Sequence, residues 1–112
     1  MTETLFHLAE ADQWALAQES GAYRRSTLGL SLEDVGFIHL STDEQWPGVL
    51  GRYYTGHTGD LVLLSIDPDL LDAELRWEAP HPGASELFPH LFGPLPVAAV
   101  TSTRVLEPPF GR

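Results

Sequence analysis

Leu61-Val62-Leu63-Leu64-Ser65-Ile66 is apolar on both of its alternating faces, apart from one serine. A strand of that kind has no side to give to water, so it belongs in the middle of a sheet with packing above and below. The run stops at Asp67-Pro68, where the aspartate can cap and the proline can start a single helical turn through Leu71.

The other elements are placed by the same logic. Thr4 to Leu8 makes a short first strand, and Glu10 to Ser20 a helix with Trp14, Leu16 and Ala17 as its apolar stripe and Gly21 as its end. Thr27 to Val35 is ambiguous. Leu28, Leu30 and Leu32 alternate like a strand, while Ser31-Leu32-Glu33-Asp34 suits a helical turn. Gly36 to Ser41 is a buried strand holding one histidine, and Ser41 or Thr42 is a good N-cap for a helix with Asp43 and Glu44 in its first turn. Pro47 fits only near the start of that helix, whose regular part runs from about Trp46 to Tyr54. Ala73 to Glu78, Phe88 to Phe92 and Val97 to Leu106 complete about six short strands. Between them, Ala79 to Ser85 is a loop long enough to cover a site. Helices early and strands late predict an α+β domain with two main helices.

The 112 residues make one domain, 1–112, of a size that buries about two-thirds of the surface its unfolded form exposes. Hydrophobic residues at 43% and charged residues at 20% are globular usage, not that of a disordered chain. With no cysteine, disulfides, thiolate metal sites and a cysteine nucleophile are excluded. The six basic residues are all arginine, and the net charge of −10 would repel a nucleic-acid backbone. No apolar run reaches the ~20 residues of a membrane span, and no leader-like segment opens the chain, so the expected location is cytoplasmic.

Chemistry centres on the histidines. His7, His39 and His90 lie in apolar strands, where an imidazole needs a partner or a purpose; His57 and His81 lie in loops. Glu78 and Glu86 bracket the covering loop, and either could act as a general base or stabilise positive charge. Tyr53, Tyr54, Trp46 and Trp77 could stack on a nicotinamide or adenine ring, or simply pack. His81, Glu86 and His90 could serve a metal, but no fixed metal-binding spacing is present and no metal is expected. Ser41 stands where an elbow nucleophile would, without the flanking glycines of that motif.

Several stretches carry a family resemblance: Leu5-Phe6-His7-Leu8, Gly21-Ala22-Tyr23, Gly36-Phe37-Ile38-His39-Leu40-Ser41-Thr42 with Gln45, Arg52-Tyr53-Tyr54, Leu75-Arg76-Trp77-Glu78 and Phe88-Pro89-His90-Leu91-Phe92-Gly93-Pro94. Through them the chain resembles domain-of-unknown-function family 952 over nearly its whole length. That family is similar in fold to the ADP-ribosyltransferase superfamily, in which two small split β-sheets hold NAD between them. The resemblance implies that His7 holds the nicotinamide-side ribose and that Ser41, backed by His39, forms the second wall. Glu86 or His90 takes the third, charge-stabilising place. Arg24, Thr42, Tyr54 and Trp77 are then ligand contacts. The Gly36–Ser41 stretch is also similar to one in RNA 2′-phosphotransferases, which need several arginines; Arg24, Arg25 and Arg52 are available, but the acidity argues against an RNA partner.

The expectation is therefore a cleft lined by His7, His39, Ser41, Glu86 and His90. It would bind NAD or a related nucleotide as substrate, with no required cofactor, and cleave or transfer ADP-ribose. A non-catalytic nucleotide-binding or regulatory domain and a metal-dependent small-molecule enzyme are the alternatives.

Overall fold

The computed structural model describes residues 3–27 and 29–110. In chain order its elements are β1 (Leu5–Glu10), α1 (Ala11–Ser20), β2 (Ala22–Tyr23), β3 (Arg25–Thr27), β4 (Leu30–Ser31), α2 (Leu32–Val35), β5 (Ile38–His39) and α3 (Trp46–Tyr53). Then follow β6 (Leu61–Ile66), a 3-10 turn (Pro68–Leu70), β7 (Leu75–Glu78), β8 (Phe88–Leu91), β9 (Leu95–Pro96), a second 3-10 turn (Val97–Ala99) and β10 (Val100–Leu106). This is an α+β fold whose larger sheets are two antiparallel three-stranded ones, ordered β1-β6-β10 and β5-β8-β7.

The apolar run is the central strand of the first sheet. Val62, Leu64 and Ile66 enter one cluster with Leu5, Trp14, Ile38 and Leu91. Leu61 and Leu63 enter the other with Val49, Tyr54 and Phe88. Both faces are thus covered, as a strand of that composition requires.

The six expected strands are all present, and four more, two or three residues long, join them: β2 pairs with β9 and β3 with β4. The ambiguous Thr27–Val35 segment is both things in turn, a strand end followed by one helical turn. Ser31 caps that turn reciprocally with Asp34, at 3.1 and 3.0 Å. Leu28 lies outside the described residues.

Three expectations need correction. Leu16 is 57% exposed, because it sits about 200° round the helix from Trp14, whereas Ala17, three residues on, shares the buried face. The strand read from Gly36 to Ser41 keeps only Ile38–His39. Gly36 is occupied as the left-handed cap of α2, with φ 98°. At the other end Leu40 donates to the Pro89 carbonyl at 2.9 Å, but a proline has no N–H to return, so the ladder cannot continue. Nor do Ser41 and Thr42 cap α3. Ser41 is drawn into a two-way backbone bridge with Phe6, at 2.7 and 2.8 Å, that ties the two sheets together. A turn from Thr42 to Gln45 carrying Asp43 and Glu44 comes before the helix, which starts at Trp46 with Pro47 in its first turn.

Phe92 donates to the Glu74 carbonyl at 2.8 Å, and the next residue, Gly93, lies so close to the neighbouring chain that an added Cβ would stand 2.5 Å from the Ala73 Cβ. Neither atom can rotate away. Gly93→Ala is therefore expected to cost about 1–3 kcal/mol through overpacking, read as a lower midpoint in urea with an unchanged slope.

Candidate functional site

The site grows from the register of the second sheet. His39 on β5 is paired with His90 on β8. The Leu40–Pro89 bond makes this the non-hydrogen-bonded kind of antiparallel pair, in which opposed side chains come closest. The two imidazole centroids are 5.4 Å apart. Phe88 and Phe92, two residues either side of His90, share its face of the strand. Phe88 packs on His39 at 4.9 Å, and Phe37 stacks on His90 at 4.0 Å and 15°.

On β7, Glu78 opposes Phe88 and reaches diagonally to His90, whose Nδ1 lies 2.9 Å from the carboxylate. A carboxylate accepts, so Nδ1 carries the proton and donates; in the neutral ring that leaves Nε2 as a lone-pair acceptor.

These rings form part of the wall of a cleft of about 400 Å³. Ser26, Thr27 and Leu30 contribute from β3 and β4, Val49, Tyr53 and Tyr54 from α3 and its end, and Pro80 from the loop before β8. The lining is mostly apolar and contains no arginine. Leu30, 43% exposed, and Tyr53, 54% exposed, give it an apolar surface toward solvent.

Three cleft residues hold buried polar atoms with no hydrogen-bond partner among the described residues: Ser26 Oγ, His39 Nε2 and His90 Nε2. A fourth such atom, Arg25 Nε, belongs to a residue outside the lining. Buried polar atoms are nearly always satisfied, and leaving one unpaired costs about 1–3 kcal/mol. Three on the walls of one cavity give it polar groups that water or a ligand there would satisfy. Burial, then the charges of His90 and His7, lowers His39 from 6.5 to about 4. Burial pushes the Tyr54 phenol up to about 12. Both are neutral at physiological pH.

Of the residues expected at the site, His39, His90 and Tyr54 meet in the cleft. His7 does not line it. It lies in the core behind His39, donating from Nδ1 to the His39 carbonyl at 2.7 Å and accepting at Nε2 from the Tyr23 hydroxyl at 3.0 Å. Ser41 is buried at the sheet junction. The Thr42 amide is bonded to the Gln45 side chain at 3.0 Å. Gln45 in turn donates to the Leu87 carbonyl and to Glu86, at 2.8 and 3.1 Å, which keeps Glu86 on the surface outside the lining. Arg24 is ion-paired with Glu33, and Trp77 is exposed opposite Pro89, on the sheet face away from the histidines. His81 is bonded to the carbonyl of Pro82. No group of three or more His, Asp or Glu side chains that could hold a metal is found among the described residues. Nor does any helix among them have the length and apolarity to cross a membrane.

Sequence reasoning missed Ser26, which lies between a basic pair and threonine and shows no apolar period. It also read Glu78 as a general base or a stabiliser of positive charge, and did not foresee its bond to His90.

Comparison with solved structures finds protein CC0527 from Caulobacter crescentus. Its crystal structure is 32% identical, superposes with a TM-score of 0.77, and is matched over 93% of this chain and 86% of that one. The solution NMR structure of the same protein gives 32% identity and a TM-score of 0.74, over 93% and 84%. Comparison with curated proteins gives no significant match. The family model described as protein of unknown function (DUF952) matches residues 8–103, and the chain belongs to that family.

Proposed function

We propose that the cleft binds a small, uncharged ligand with a planar ring bearing hydrogen-bonding groups at its edge. The observation that carries this is the set of three unpaired atoms, Ser26 Oγ, His39 Nε2 and His90 Nε2, on otherwise apolar and aromatic walls. Few convergent polar groups in a mostly apolar concavity are the usual form of a small-molecule site. A carboxamide or nucleobase edge, with a donor and an acceptor side by side, complements such a set.

Among ligands related to NAD, this favours the nicotinamide-riboside end or a nucleoside. The lining has no cation to meet a pyrophosphate. If turnover occurs, the bond between ribose and nicotinamide is the one this reading exposes to cleavage. A binding domain without turnover is the second reading, favoured by Glu86 lying outside the cleft, where it cannot stabilise charge on a ribose.

Thermal shifts with nicotinamide, nicotinamide riboside, nucleosides, ADP-ribose and NAD test the proposal. A ligand at a hundredfold excess over Kd adds about 2.7 kcal/mol, a shift of several degrees for a domain of this size. Nicotinamide or a nucleoside is expected to give a shift that Ser26→Val and His39→Ala reduce. No shift with any of the five at millimolar concentration would sink the proposal, and a shift confined to ADP-ribose and NAD would move recognition to the phosphates.

A further inference from the structure

We propose that His90 is a general base in the cleft and that Glu78 is its positioning residue. The inference rests on the cleft being a ligand site and adds what that site does. His90 is only 3% exposed. Its ring is clamped on one side by Phe37, stacked at 4.0 Å, and at one end by Glu78, 2.9 Å from Nδ1. These two contacts fix its plane and its tautomer, so the remaining atom, Nε2, presents a lone pair that no described group fills. An imidazole held by a carboxylate on one nitrogen, with the other free in a mostly apolar cavity, is the arrangement that accepts a proton and keeps the resulting cation beside a counter-charge.

His39 differs in the same cavity. No carboxylate is bonded to it, and its imidazole stays neutral, so the two histidines are not equivalent: one is built to take a proton and the other to offer a hydrogen bond.

The step balances without a cofactor. The O–H bond of a water molecule, or of a ligand hydroxyl, breaks; its proton forms a bond to His90 Nε2, and the electron pair stays on the oxygen. That oxygen then attacks the electrophilic carbon of the bound ligand, whose leaving group departs with the bonding pair. The imidazolium returns its proton to the leaving group or to solvent. The cation-free lining selects a neutral substrate with a planar ring.

Two measurements test this. Nitrogen-15 spectra in mildly alkaline buffer are expected to show His90 as the Nδ1–H tautomer. Turnover of 4-nitrophenyl acetate, a neutral planar ester used as a reporter, is expected to fall about 100-fold or more in His90→Gln and at least about tenfold in Glu78→Gln. It should be unchanged in His57→Ala and His81→Ala. An Nε2–H tautomer at His90, or equal turnover in wild type and Glu78→Gln, would overturn the proposal; the spectra need only the wild-type protein, so a variant that fails to fold does not block the decision. Thermal shifts on the same variants separate the two readings. Shifts that persist while the tautomer is wrong remove the base and leave the binding site. A correct tautomer and Glu78-dependent turnover with no shift from any nucleotide or nucleoside remove that ligand class and leave the base.

Discussion

As the pH drops from 6.5 to about 4 the free energy of unfolding is expected to fall by several kcal/mol, and His7 is the first cause. Its imidazole, ordinarily at 6.5, is held down to about 4 in the fold by burial, against the opposing pull of its bond to the His39 carbonyl. In that interval the unfolded chain binds more protons than the native one, so stability rises with pH. The contribution is fully present above 6.5 and is lost as the pH drops through the interval to about 4. For His7 the integrated loss is about 3 kcal/mol. His39, lowered over the same range, adds an amount of the same order.

Two other effects act in or near this window. The acidic chain, with a pI near 4.6, loses self-repulsion as the pH falls, which stabilises it; that repulsion lies between exposed charges and is screened by salt, whereas the cost of charging a buried imidazole is not. Glu33, Asp34 and Glu74 are lowered chiefly by hydrogen bonds, to Arg24, the Ser31 backbone and Arg76 in turn. Their stabilisation is present above the ordinary values of 4.5 and 3.8 and is lost at the acid edge and below. Urea unfolding at constant physiological ionic strength should therefore steepen through the interval, and a flat profile from pH 7 to pH 4.5 would contradict the burial of both histidines.

His7→Leu is expected to cost about 2–5 kcal/mol at neutral pH, enough to leave a domain of this size barely folded. Leucine fills much of the volume but satisfies nothing. The Tyr23 hydroxyl and the His39 carbonyl lose their partners together, each at about 1–3 kcal/mol. Tyr23→Phe removes only the hydroxyl and should cost less than His7→Leu. His7→Asn should fall between wild type and His7→Leu, because its amide N–H can stand near Nδ1 and donate to the same carbonyl. If asparagine proves no better than leucine, the carbonyl bond is not what His7 contributes. The His7→Leu acid profile should also lose the first of the two imidazole contributions.

Elements legible in the sequence were those whose signal is longer than a turn. β6 was readable because both faces are apolar, α1 because glycine ends it, α3 because Pro47 can only stand near its start. β2, β3, β4 and β9 were not, since two or three residues cannot show a period; they exist because tertiary contacts give them a partner. At the site, His39, His90 and Tyr54 were readable as polar or aromatic residues in apolar runs. That signal is the same for His7, however. Only the fold shows that one buried histidine is satisfied at both nitrogens while two others retain an unpaired one. Ser41 misled because a hydroxyl after a strand and before a helix suits a cap or a nucleophile, while its backbone was needed to join the sheets.

His39 divides its duties between main chain and side chain. Its carbonyl is bonded to the core through His7, while its Nε2 is left unpaired among the residues of the cavity wall. If the cleft binds a ligand as proposed, exchanging the side chain alters what the cavity recognises without removing the peptide oxygen that anchors the scaffold. On that proposal, position 39 is the place where selectivity can be rewritten one residue at a time, and position 7, one hydrogen bond away, is the place to leave alone.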